Sequence, residues 1–180
     1  GHLLRMIGDL LDLTRIEAGR LPLELHAVPL QPLAAEALAL LQPQADAAGV
    51  RLRLEAHDHP VALADRTRLH QVLLNLLGNA IKYNRPQGEV ALHLEGVAGA
   101  DGTQQVRLQV RDTGAGIAAA DLPHVFEPFN RLAQAGSAVD GSGIGLAVTH
   151  ALVQLMDGRI DVCSRPGEGS TFAVTLPAAS

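Results

Sequence analysis

The sequence predicts an α+β two-layer sandwich, a mixed sheet with helices on one face, preceded by one long helix. Three observations carry the prediction. Short segments that read as strands (50–56, which alternates cleanly, 61–64, 89–97, 105–111, 159–164, 171–176) are interleaved with helical segments, but strand pairs follow one another as well as helices, which suits α+β layering. Hydrophobic residues make up 47% of the chain and aromatics 2%, with no Trp, so the core is aliphatic. An apolar helical pattern at the very start stands apart from the rest.

That first pattern covers 1–20. Leu3, Ile7, Leu10, Leu11 and Thr14 recur at helical spacing, flanked by Met6 and Leu13, and Gly19 and Pro22 close it. A lone helix this apolar needs a partner to bury its stripe; packing on its own domain is the plain alternative. Residues 23–30 alternate and read as a strand or an extended linker. A helix is expected over 32–48, stopped by Gly49. Val50, Leu52 and Leu54 mark a strand, and 61–64 a shorter one. Asp65 is an N-cap for a helix running to Tyr83, broken by Asn84, Pro86 and Gly88. Two strands joined by a turn at 99–103 follow. A helix over 143–156 and a hairpin turning at Pro166, Gly167 and Gly169 complete the chain. The expected division is 1–21, a helix of a larger hairpin; 22–30, linker or first strand; and 31–178, the main domain.

Bulk chemistry excludes several functions. Net charge is −5, so no basic field attracts a polyanion and any phosphate must be held locally. Scarce aromatics weaken a base-stacking, single-stranded nucleic-acid reading. Cys163 is the only cysteine, which rules out an intrachain disulfide and a multi-cysteine zinc site. No run of about 18 apolar residues predicts a membrane span, and no signal peptide is visible. The chain opens inside a helical pattern, which predicts a piece of something longer.

On the helix 70–84 an apolar arc (Leu69, Leu73, Leu76, Leu77, Ala80, Ile81) opposes a polar one holding Arg68, Gln71, Asn75, Asn79 and Lys82, with Tyr83 at its margin. Asn75 and Asn79, four apart, share one face. Asn is a weak helix former because its side chain competes for the backbone, so two on one stripe point to a task such as holding a metal or phosphate; a solvated polar face is the plain alternative. Three glycine-rich loops follow. Asp-Thr-Gly-Ala-Gly at 112–116 ends a strand: its carboxylate can accept from an exocyclic amine, and its glycines let backbone approach a flat ligand, or it is a simple turn. Gly-Ser-Gly-Ile-Gly-Leu at 141–146 opens a helix, where N–H groups and the helix dipole make an anion site. It is neither a Rossmann fingerprint nor a Walker loop. Pro-Gly-Glu-Gly-Ser-Thr at 166–171 reads as a structural turn. Between the first two lies 125–131, then a stretch of small residues expected to be a mobile loop. Arg131 is a phosphate candidate or a surface arginine.

Together these segments resemble the GHKL superfamily of gyrase, Hsp90, MutL and histidine kinases, most closely the histidine kinase branch. Asn-Leu-Leu-Gly-Asn-Ala-Ile-Lys-Tyr-Asn (75–84) is similar to its asparagine motif, 112–117 to its first glycine motif, Phe-Glu-Pro-Phe (126–129) to its phenylalanine motif, 141–146 to its second glycine motif, and 166–172 to its usual end. The resemblance covers about 30–177 and implies a Bergerat-type ATP-binding fold binding ATP or ADP with Mg²⁺. It implies that Asp112 reads the adenine amine and that Gly114, Gly116 and Ile117 make room at the base. Asn79, with Asn75 nearby, would hold Mg²⁺. Lys82 and Arg131 would contact phosphate, and Tyr83 would lie along the nucleotide. Gly141, Ser142, Gly143, Ile144, Gly145 and Leu146 would embrace the phosphates, and Thr171 completes the nucleotide set. Phe126 and Phe129 would anchor the lid rather than touch ATP.

The first segment resembles the second helix of the kinase dimerisation and phosphotransfer hairpin. Its partner helix normally carries a His followed by an acidic residue, with Thr-Pro or Asn-Pro nearby. None of the eight histidines begins such a motif; His57-Asp58-His59-Pro60 comes nearest, and as a metal pair His57 and His59 lack companions. No catalytic residue is therefore expected in the chain itself. The resemblance implies a protein-histidine kinase whose partners are its own hairpin, a response-regulator receiver domain and a second copy through the first helix. It implies a cytoplasmic place, with no nucleic acid. Three rivals stay open: a GHKL ATPase, disfavoured because Asn75 stands where a water-activating Glu is needed; an anti-sigma-type serine kinase; and a non-catalytic nucleotide-binding scaffold.

Overall fold

The computed structural model describes residues 2–128 and 144–179. The elements run α1 (His2–Glu17), β1 (His26–Pro29), α2 (Leu30–Ala48), β2 (Arg51–Ala56), β3 (Val61–Ala64), α3 (Arg66–Lys82), β4 (Glu89–Ala98), β5 (Gln104–Asp112), a 3₁₀ turn (Leu122–His124), α4 (Gly145–Leu155), β6 (Arg159–Arg165) and β7 (Gly169–Pro177). The sequence places the helices and the strands of the main sheet in this order; it does not mark the 3₁₀ turn, it leaves 26–29 open between strand and linker, and the other differences are confined to ends. α1 stops at Glu17 rather than near Arg20, because Gly19 turns left-handed (φ 70°). α2 begins at Leu30, two residues before the expected start. Pro32 is tolerated there because the first-turn N–H groups have no helical partner anyway.

The main sheet has five strands in the order β2-β4-β5-β7-β6. It is mixed, with β2 parallel to β4 and the remaining pairs antiparallel. Alternation makes one face apolar: Val90, Leu92 and Leu94 on β4, Val106, Leu108 and Val110 on β5, and Phe172, Val174 and Leu176 on β7 are buried. Residues 26–29, ambiguous in the sequence, form a strand paired antiparallel with β3 in a separate two-stranded sheet. The sequence gives no sign of that second sheet, since pairing partners are not encoded in a strand's own alternation.

α3 is the central helix of the second layer, between α2 and α4. Leu69, Val72, Leu73, Leu76, Leu77, Ala80 and Ile81 are buried along it. Asp65 caps it, one carboxylate oxygen accepting from Arg68 N–H at 3.1 Å and the other from Glu24 N–H at 3.0 Å. The cap contributes about 1 kcal/mol and fastens the chain leaving α1 to the start of α3.

The polar stripe of α3 is not a solvated face; each step has its own task. Arg68 and Gln71 reach Asp12 on α1, at 3.5 and 3.2 Å. Asn75 donates its amide to the Thr149 hydroxyl (3.2 Å) and the Gly145 carbonyl (3.4 Å) on α4. Asn79 lines a cleft.

Candidate nucleotide site

The cleft opens between the C-terminal half of α3, the loop after β5, the start of α4 and the start of β7. About 460 Å³ of empty space, open solvent included, lies in and over it. Asn79, Ala80 and Tyr83 come from α3 and its end, and Asp112, Ala115, Gly116 and Ile117 from β5 and its loop. Leu146 belongs to α4, and Ser170 and Phe172 to β7.

Asp112 is the one buried carboxylate among the described residues. Its Oδ1 accepts from Gly114 N–H at 2.8 Å and Ser170 N–H at 3.2 Å. Burial pushes the carboxyl above its ordinary pKa, and the hydrogen bonds from Gly114 and Ser170 pull it partly back. An ionised carboxylate only accepts, so Oδ2 offers the cleft an acceptor in an apolar setting.

Three backbones crowd around it. A Cβ on Gly114 would lie 2.4 Å from the Tyr83 carbonyl oxygen, and one on Gly116 2.1 Å from that of Arg165. Gly169 (φ 112°) would put its Cβ 2.0 Å from the Asp112 carbonyl oxygen. The third glycine loop, read as a plain turn, is thus pressed against the carboxylate strand. Ala115 N–H donates to Tyr83 O at 3.3 Å, tying the loop to the end of α3.

Of the residues singled out in the sequence, Asn79, Tyr83, Asp112, Gly116, Ile117 and Leu146 meet at the cleft. Gly114 supports Asp112 from behind. Asn75 lies one turn back, with its amide nitrogen engaged on α4; Lys82 ends α3. Gly145 begins α4, while Ile144 is buried in the core rather than lining the cleft. Thr171 is not among the residues that line the cleft. Ser170 and Phe172 line the cleft on either side of it, and alternation along β7 turns Thr171 to the opposite face of the sheet. Ser170, Phe172, Ala80 and Ala115 were missed. Ser170 was findable: it continues the core-facing series Phe172, Val174, Leu176. Arg131, Phe129, Gly141, Ser142 and Gly143 lie outside the described residues. Phe126 stacks on His150, ring centres 4.9 Å apart, and meets Phe172 edge-on at 6.2 Å.

Residues 64–180 match the model of the histidine kinase-, DNA gyrase B-, and HSP90-like ATPase family. The chain is 39% identical over 177 residues to the non-motile and phage-resistance protein of Caulobacter vibrioides, covering 98% of this chain and 21% of that protein. It is 39% identical over 180 residues to the circadian input-output histidine kinase CikA of Synechococcus elongatus, covering 98% and 23%. The full-length ShkA structure in complex with AMPPNP superposes with a TM-score of 0.86 at 33% identity, over 99% of this chain and 36% of that one. The Acinetobacter baumannii histidine kinase AdeS gives 0.79 at 26% identity, over 97% and 77%. The chain belongs to this ATPase family, as the GHKL ATP-binding catalytic domain of its histidine kinase branch. It spans about a fifth of the length of the curated relatives it matches.

Proposed function

We propose that this domain binds Mg-ATP in the cleft and donates the γ-phosphoryl group to a histidine on a hairpin helix outside this sequence, for relay to a response-regulator aspartate. The buried Asp112 carboxylate carries the reading. An acceptor-only group in an apolar cleft selects a ring bearing an amine donor and rejects one with a carbonyl at that position. Gly116 and Ile117 leave a flat approach beside it. Tyr83 would lie along the nucleotide, and Lys82 would meet the phosphates, as would Arg131 and the 141–145 loop. Gly145 and Leu146 open α4, whose N-terminal dipole favours an anion.

Among the described residues no group of three His, Cys, Asp or Glu could hold a metal ion. A cation here would draw its ligands from phosphate, water and a single side-chain amide, the pattern magnesium favours. Asn79 would hold it; Asn75 would support the site by fixing the first turn of α4. When bound, magnesium supplies charge neutralisation across the phosphates.

Phosphoryl transfer demands positioning and neutralised charge more than covalent protein chemistry. A neutral imidazole is already a nucleophile, so this domain needs no general base of its own. Water is a poorer nucleophile, and Asn75, with an amide donated to α4, cannot take its proton. That favours kinase over ATPase. Leu3, Leu4, Ile7, Leu10 and Leu11 of α1 are exposed, which supports a hairpin partner and a second copy along that helix. No helix among the described residues is long and apolar enough to cross a membrane. The proposed transfer from Mg-ATP to a response-regulator relay would place the domain in the cytoplasm. Titration with ADP and Mg²⁺ by calorimetry, beside Asp112→Ala, tests the site. Phosphorylation of a supplied cognate hairpin tests the reaction. Fast ATP hydrolysis by the isolated chain, well above an Asn79→Ala control, would overturn the kinase reading.

A further inference from the structure

Beside Gly114 N–H, one further peptide group holds Asp112 Oδ1. The Gly169–Ser170 peptide is planar, so its C=O and N–H point in opposite directions. Its N–H donates to Asp112 Oδ1 at 3.2 Å. Its carbonyl accepts from the Ser164 hydroxyl at 3.0 Å. Holding the carbonyl on one side therefore orients the N–H on the other.

Ser164 reaches the other wall as well. Its Oγ accepts from Ile117 N–H at 2.7 Å, and Ile117 lines the cleft beside Gly116. Ser164 Oγ also lies 2.8 Å from Ser170 Oγ. A hydroxyl has one proton and two lone pairs. With Ser164 O–H on Gly169 O, and Ile117 N–H and Ser170 O–H on Ser164 Oγ, its bonding capacity is filled. One hydroxyl on β6 thus joins the loop that receives the base to the peptide that aims the carboxylate.

We infer that Ser164 is a positioning residue for base recognition: without touching the nucleotide, it holds Asp112 where a carboxylate distinguishes a purine with a 6-amino group from one without. This rests on the adenine-nucleotide reading of the cleft. Neither periodicity nor the glycine motifs mark Ser164, and alanine would fit β6 in its place. Its loss would leave Ile117 N–H and Gly169 O without the partners they have, and let the Asp112 acceptor drift.

The test is calorimetric titration of the whole chain with Mg²⁺ and two probes: ADP, and the diphosphate of purine riboside, which lacks the 6-amino group. The unaltered chain should prefer ADP. Ser164→Ala should shrink that preference roughly tenfold, the scale of one lost charge-assisted hydrogen bond, while binding of the second probe changes little. Ser164→Thr keeps the hydroxyl and should keep the preference. A Ser164→Ala protein that loses affinity for both probes by one factor, or for neither, would overturn the positioning role while leaving the nucleotide site standing. An unaltered chain that binds neither probe would overturn the site reading and this inference together.

Discussion

α1 and α3 are nearly equal in length, 16 and 17 residues, and both are amphipathic, yet they end in opposite situations. α3 lies between α2, α4 and the sheet, with all seven of its core residues under about 5% exposed. α1 rests on the body by one edge. Leu13 is buried and Ile16 packs against the core, while Leu3, Leu4, Ile7, Leu10 and Leu11 are 45–73% exposed. The stripe that the sequence marks as needing cover is the uncovered one. An apolar period states that a face wants burial; it does not state what buries it.

The largest expected effect lies on α3. Leu77→Ala removes a fully buried side chain and should cost about 2–5 kcal/mol in chemical denaturation. A smaller cost would mean that the layer around α3 collapses to refill the space. Next is the cleft that α3 walls. Asp112→Ala should weaken ADP by about 1.5–3 kcal/mol, roughly 10- to 100-fold, with unchanged affinity counting against an amine-reading carboxylate.

Asp112→Asn should move stability the other way. Burial raises the Asp112 pKa in the folded chain above its unfolded value. The folded state therefore holds that proton more tightly, and the associated stabilisation is present in acid and lost as pH rises through the folded pKa. Asn escapes the desolvation of a charge while keeping an oxygen for Gly114 and Ser170. Relative to the parent, the variant should gain stability above that pKa, and the gap should close in acid, as urea denaturation across a pH series would reveal. ADP affinity should fall, because an amide presents a donor where an acceptor is needed.

On α1 the effects shrink. Asp12→Ala breaks the partly buried contact with Arg68 and Gln71 and should cost about 0.2–1 kcal/mol. Leu11→Ala, at a residue 58% exposed, should stay within about 0.5 kcal/mol. If sedimentation shows that the chain self-associates, Ile7→Glu with Leu11→Glu should abolish this without shifting the monomer's melting. A melting shift as large as that of Leu77→Ala would erase the contrast between the two helices.

Much of the site was legible because its chemistry is local. A carboxylate followed by glycines (Asp112, Gly114, Gly116) and asparagines four apart (Asn75, Asn79) advertise themselves. What escaped was set by register. Thr171 and Ser170 are neighbours in β7, and a one-residue slip exchanges the faces of a strand, so the cleft received Ser170. Asn75 and Asn79 looked equivalent on the helical wheel. Only the arrival of α4 separated them, engaging Asn75 on Thr149 and leaving Asn79 to the cleft.

By itself the sequence determined the order of helices and strands, the cap at Asp65, the apolar arc of α3 and the nucleotide-type motifs, because each depends on residues close together along the chain. Tertiary structure alone decided that residues 26–29 pair with β3, and that the final turn closes against Asp112. It also decided that Ser164 bridges two loops. Each of these depends on hydrogen bonds between groups far apart in sequence, whose distances are set only once the layers have packed.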